Sequence, residues 1–319
     1  MLADEPLYSG PMRAIRVLEP FHSLFYAPLY VALGLGHFRD EGLDVTPDTP
    51  PQSGGTIAAL LDGSSAICLG GIMRSLDVAD RGGGFLPHFI EVNSRNGFFL
   101  LSRTPRPGFR WTDLVGATVL SFAEAPTPWQ CLLTVLRREG VDPATVRIER
   151  HRPLAEKIAA WTSGHGDFLE TGQPIVEQLV AEGAAHLVAS MGDATGPVPF
   201  SSYMTTPARL RDDRELLVAF TRAVYRTQRW MAEASGADVA RVVAPWFGDI
   251  PERFRVAAVE RYARQGTWAR DPLCRREGYE YLQRILLDGG FIKARHRYED
   301  LIDTSVARQV MESASTSPA

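Results

Sequence analysis

From Ala14 to Ser190 the chain alternates short β-rich runs with helix-patterned stretches, in units of about 30 residues. That rhythm demands parallel strands joined by helical crossovers, so it excludes bundles and all-β sandwiches. The first series runs through "AIRVLEP" (14–20), a helix over 26–42 and "LDVTPDTP" (43–50). It continues with a short helix over 55–64, the strand "SAICLGG" (65–71), a helix over 72–82 and strands at 88–94 and 97–103. After the Pro- and Gly-containing segment 104–116 a second series begins. Strands fall at 117–122, 145–151, 166–170 and 185–190, with helices at 128–140, 154–164 and 174–184 between them. From residue 207 the pattern is helical: 207–235, 236–248, 251–266 and 276–290.

The expected architecture is α/β with two lobes, each a mostly parallel sheet flanked by helices, and a ligand cleft between them. The helices after residue 207 would return to the first sheet. Residues 14–103 and 207–300 then make a discontinuous first lobe, 104–206 the second, and 301–319 a C-terminal tail, with the crossing near 103–113.

Composition restricts the partners. A net charge of −4 over 319 residues, with 45% hydrophobic and 23% charged residues, gives no footprint for nucleic acid. Basic residues cluster at Arg137-Arg138, Arg275-Arg276 and 293–297, in or beside helical stretches, and read as solvated faces. The three cysteines, Cys68, Cys131 and Cys274, are far apart and show no metal-ligand spacing, so no disulfide framework, metal or cofactor is expected. No run of 18 apolar residues is present, and the start lacks the basic and apolar regions of a secretory signal. The expectation is a cytoplasmic protein, or a periplasmic one whose signal has been removed, acting as a monomer.

The loops at the carboxyl ends of the strands carry the functional argument, because open α/β sheets bind ligands there. "APTPWQ" reads as a capping box, with Thr127 as N-cap, Pro128 at the first helical position and Gln130 three residues on. Such a helix start offers N–H groups and a positive dipole end, with Glu124 beside it and Trp129 as a stacking surface. Ser53, Gly54 and Gly55 follow the second strand; Gly70 and Gly71 follow the third, where a missing Cβ admits a ligand to the backbone. Glu170, Thr171, Gly172 and Gln173 repeat the scheme in the second series. Phe21, His22, Phe25 and Tyr26 follow the first strand, Arg74 could hold an anion bidentately, and Asn93 ends its strand. Tyr203 is expected near the crossover. No nucleophile elbow, zinc-protease, Walker or dinucleotide motif occurs. His22, Glu124, Cys131 and Glu170 are the acid–base or nucleophilic candidates near the cleft, and Cys131 and Cys68 read as inert core thiols.

Three stretches, "YAPLYVALGLGHFRDEGLDV", "GGTIAALLDGSSAICLGG" and "FRWTDLVGATVLS", resemble the SsuA/THI5-like (NMT1-like) group of type II periplasmic-binding-protein folds. The resemblance spans residues 14 to 230. It implies two lobes closing on a small organic ligand, anionic or aromatic, and an ABC permease as partner. A minority of that group are cytosolic enzymes, the thiamine-pyrimidine synthases and an aromatic sulfinate desulfinase, which supplies the alternative function. The synthases' lysine and histidine are missing from Cys68–Arg74, and their cysteine-rich iron motif has no counterpart over 190–206. Where the desulfinase has a cysteine after the first strand, this chain has Phe21, His22 and Ser23.

Overall fold

The computed structural model describes residues 10–52, 54–122 and 125–316. Two five-stranded mixed sheets, each with helices on its faces, build two lobes. The first series comprises β1 (Arg13–Leu18), α1 (Ala27–Gly34), α2 (His37–Asp40), β2 (Leu43–Asp48), α3 (Gly55–Leu61), β3 (Ile67–Gly70), α4 (Ile72–Asp80) and β4 (His88–Asn93). The second comprises β5 (Phe99–Ser102), β6 (Thr118–Leu120), α5 (Thr127–Arg138), β7 (Arg147–Glu149), α6 (Leu154–Thr162), β8 (Phe168–Thr171), α7 (Ile175–Ala181), β9 (His186–Ser190), α8 (Met191–Thr195) and β10 (Ser201–Met204). Sheet order is β2-β1-β3-β10-β4 in the first lobe and β7-β6-β8-β5-β9 in the second.

Each sheet carries one reversed strand: β10 runs antiparallel to β3 and β4, and β5 antiparallel to β8 and β9. The two lobes thus exchange a strand. β5, assigned by sequence to the first lobe, lies in the second sheet, and β10, which has no strand signal in "VPFSSYMTT", completes the first. The crossings therefore fall at 94–98 and 191–200, not near 103–113 and 206. Burial explains the strand signals. Strands β3, β4, β5, β8 and β10 are buried at every position, and of these β3 and β5 read as apolar runs, whereas the edge strands β2 and β7 keep exposed positions.

The last third is helical: α9 (Pro207–Asp212), α10 (Arg214–Glu233), α11 (Gly236–Val243), α12 (Glu252–Gln265), α13 (Arg276–Asp288), α14 (Tyr298–Leu301) and α15 (Ser305–Thr316). The single helix expected over 207–235 breaks at Asp213, whose carboxylate accepts hydrogen bonds from Arg13 and Arg209. The expected tail is also corrected. Val306, Ala307 and Val310 of α15 are buried, and α15 packs on α10 and β4. Nor does the last third serve only the first lobe, because α12 packs on α7 and α13 on both α4 and α5. Gln265, at the end of α12, ties the first crossing to the end of β9, where the second crossing starts. Its Nε2 donates to Asn96 O at 2.7 Å and its Oε1 accepts from Ser190 Oγ at 2.7 Å.

Candidate functional site

A cavity of about 400 Å³ opens between the lobes. The segment after β1 supplies Phe21, His22, Ser23 and Phe25, and the first crossing supplies Phe98. The second lobe adds Phe122, Leu154 and the turn Thr171-Gly172-Gln173, and the helical third adds Phe247, Asp249, Ile250 and Tyr262. Phe122 is the hub of the aromatic wall, with ring centroids 4.7 Å from Phe98 and 6.0 Å from Phe21. Beyond Phe21, Phe25, Phe98 and Phe122 lies a smaller void of about 30 Å³, bordered by Tyr26, Gly71, Arg74, Thr127 and Ser201.

Phe21, His22, Tyr26, Gly71, Arg74, Thr127, Thr171 and Gly172 therefore converge from elements far apart in sequence. The other candidates sit elsewhere, for identifiable reasons. Gly54 is the left-handed N-cap of α3 (φ +85°), and a Cβ on Gly55 would strike the ring of Pro50. Gly70 makes room for Met204 Cε. Asn93 is fully enclosed and donates through Nδ2 to Phe25 O at 2.8 Å; Trp268 Nε1 donates to the same carbonyl at 3.0 Å. Its role is to fix the backbone of Phe25. The Trp129 ring lies under the Arg150 guanidinium, 3.7 Å from ring centroid to Cζ, and borders neither cavity. Glu124 and Ser53 lie outside the described residues.

Strand alternation separates Glu170 from Thr171. Thr171 reaches the cavity wall, while Glu170 is fully buried within the second lobe. Its carboxyl accepts from Ser121 Oγ, and Lys157 Nζ donates to its backbone oxygen at 3.1 Å. Burial raises the Glu170 pKa, and the Lys157 charge opposes that shift. The capping box does not form either. Thr127 is already the first helical residue of α5, no side chain caps that end, and Gln130 Nε2 donates across the lobes to Gly289 O at 3.2 Å.

His22 has no free nitrogen to offer. Its Nε2 lies 2.9 Å from Trp246 O, and its Nδ1 lies 2.7 Å from Tyr30 Oη and 3.2 Å from Glu19 Oε1. The ring stacks on Phe247, centroids 4.3 Å apart. Glu19 raises the His22 pKa by hydrogen bonding, and burial raises that of Glu19 itself. The cysteines are core groups: burial pushes Cys131 up to about 12 and Cys68 up to about 11, so neither is a ready thiolate. No group of three or more His, Cys, Asp or Glu suited to a metal ion exists among the described residues. None of their helices is long and apolar enough to cross a membrane.

Two mixed α/β lobes, joined by two crossings and closing on an aromatic cavity, define the type II periplasmic-binding-protein architecture. The family model described as NMT1/THI5 like matches residues 25–235, and the chain belongs to that family. "Putative binding protein YtlA" of Bacillus subtilis (strain 168) is 30% identical over 298 residues, covering 93% of this chain and 89% of its own. The alkanesulfonate-binding protein SsuA from Xanthomonas axonopodis pv. citri, solved bound to MOPS, has a TM-score of 0.67 at 17% identity. That match covers 90% of this chain and 96% of the SsuA chain. The desulfurization enzyme DSZB has a TM-score of 0.66 at 16% identity, over 94% of this chain and 99% of its own. At such identities these two structures share the fold with this chain and nothing finer.

Proposed function

We propose that the chain is the solute-binding component of an ABC import system, capturing a small aromatic molecule between its lobes and passing it unchanged to a permease. The observation that carries this reading is the cavity wall. Six aromatic rings, Phe21, Phe25, Phe98, Phe122, Phe247 and Tyr262, surround about 400 Å³, a volume suited to a ligand of one or two rings. The relationship to YtlA supports a binding role. In that role the protein works outside the cytoplasmic membrane, as the periplasmic SsuA proteins do.

The side chains one would recruit for catalysis argue the same way. His22 is committed at both nitrogens, Glu170 is enclosed, and the thiols of Cys68 and Cys131 are protonated at neutral pH. Native mass spectrometry of the purified protein, followed by incubation with bound aromatic compounds and chromatography of what is released, tests the reading. The expected result is a non-covalent complex whose ligand is recovered unaltered. Turnover of the ligand would refute it.

A further inference from the structure

His22 stands in the cavity wall, and its neighbours fix how many protons it needs. Its side chain is 45% exposed, so the ring exchanges protons with solvent, whereas Glu19 is 1% exposed. Trp246 O only accepts, so Nε2, 2.9 Å away, carries a proton. On the other side Nδ1 lies 2.7 Å from Tyr30 Oη, and that oxygen in turn touches Glu19 Oε1. These two contacts need two protons, and the phenol brings one. With a second, carried by Nδ1 or by the carboxyl, the row Nδ1–Oη–Oε1 is hydrogen-bonded along its whole length. With the phenol's proton alone, one of the two contacts sets acceptor against acceptor.

The same ring organises the wall. It stacks on Phe247 with an interplanar angle of 6°, and it holds the Trp246 carbonyl. The loop between α11 and α12, which supplies Phe247, Asp249 and Ile250 to the cavity, is thereby tied to the segment after β1. Behind the loop, Arg255 donates through Nη1 to Phe247 O at 3.1 Å and to Ile250 O at 2.8 Å, so the loop stays attached to α12 whatever His22 does. The other titratable groups facing the three partners are Asp249, whose charge supports a protonated His22, and the phenols of Tyr26 and Tyr203 near Glu19. Burial keeps both phenols, and that of Tyr30, protonated.

We propose that His22 is a positioning residue of the aromatic wall and that it works only while it, Tyr30 and Glu19 share that second proton: loss of the proton parts His22 from its partners, shifts the loop and weakens the hold on the ligand. This rests on the aromatic-ligand reading above and adds a pH dependence to it. The Glu19 contact raises the His22 pKa above its ordinary 6.5, so binding is full below that pH and is lost as the pH rises through the raised value.

Quinoline, uncharged from pH 6.5 upward, is titrated calorimetrically into the full chain and into His22→Gln at pH 6.5 and pH 9. The His22 ring of the unsubstituted chain, assigned through its contact with Phe247, is followed by NMR across the same range with and without saturating quinoline. The expected result is an affinity about tenfold weaker at pH 9 and a His22 titration midpoint about one pH unit higher in the complex, the same coupling read from both ends. His22→Gln should bind equally at both pH values. An affinity independent of pH, an equal pH dependence in His22→Gln, or a His22 midpoint indifferent to quinoline would each overturn the proposal and leave the aromatic reading standing; the NMR comparison decides this even where the variant does not fold. Failure of quinoline to bind at either pH would overturn the aromatic reading itself, and the coupling with it.

Discussion

Gly97 lies in the first crossing, and substituting it tests how the cavity wall is assembled. A Cβ built on Gly97 would lie 2.3 Å from Phe25 Cε2 and 2.4 Å from its Cδ2. Ordinary contact begins near 3.4 Å, so in Gly97→Ala the Phe25 ring must retreat by 3.4 − 2.3 = 1.1 Å. Retreat is restricted on the ring's other sides. Tyr26, Phe200 and Tyr262 stand with centroids 5.2, 5.8 and 6.0 Å away, and the Phe25 carbonyl is held by Asn93 and Trp268. The larger free space beside the ring is the cavity, the smaller void offering only about 30 Å³. Overpacking of this kind costs about 1–3 kcal/mol. A ring driven about 1 Å into the binding space should weaken an aromatic probe about tenfold, equivalent to about 1.4 kcal/mol. Thermal melting and a titration with quinoline as the aromatic probe measure the two effects. Adding Phe25→Leu to Gly97→Ala should recover much of the melting temperature. A Gly97→Ala protein with unchanged melting and unchanged affinity would refute this account of how the wall is packed.

Glu91, buried on β4 with Ser94 Oγ donating to Oε1 at 2.6 Å, has its pKa raised by burial from 4.5 to about 7. The folded state thus holds a proton that the unfolded state releases, so stability is fullest below pH 4.5 and falls as the pH rises towards 7. Glu91→Gln should match the unsubstituted protein in urea melts at pH 4.5 and exceed it at pH 8 by up to about 3 kcal/mol, and equal stability at pH 8 would count against the shift. Lys157→Met removes the charge facing buried Glu170 and should cost about 3 kcal/mol, part of which Glu170→Gln recovers in the double variant; additive losses in denaturant titrations would contradict that coupling. Cys68, Cys131 and Cys274 are buried and should resist a thiol reagent in the native protein, then react together once guanidinium unfolds it; rapid labelling of any one without denaturant would oppose this placement.

The succession of strands and helices along each series was legible because buried strands leave apolar runs that the crossovers interrupt at a regular interval. The exchange of β5 and β10 was not. "GFFLLSR" carries the same pattern whichever sheet it joins, and "SSYM" is polar in composition although every position is buried: it sits inside the sheet between β3 and β4, with Phe220 of α10 packed against Tyr203. The cleft was half legible. Turns at strand ends pointed to Phe21, His22, Gly71, Thr127, Thr171 and Gly172. Phe247, between α11 and α12, and Tyr262, on α12, arrive more than two hundred residues after Phe21, and nothing local to them signals a wall. Phe98 and Phe122 looked like strand termini. Gln173 was visible beside Thr171, but its orientation depends on Glu177 and Arg261, which only the folded chain brings to it. The capping box failed because Gln130 has a better use for its amide in holding Gly289.

The last third of the chain touches both lobes and also encloses the ligand space, which bears on how such a protein can be cut or recombined. Tyr262 receives the Gln173 N–H on its hydroxyl at 3.1 Å, Arg261 grips Glu177, and Gly289 accepts from Gln130. A fragment ending at residue 206 would keep both sheets yet lose one side of its binding chamber. A chimera that imports only the second lobe from a relative would carry a foreign partner for each of those three contacts. Transplanting specificity should therefore require moving α12 and α13 together with the turn after β8, as one inheritable unit scattered over three stretches of sequence.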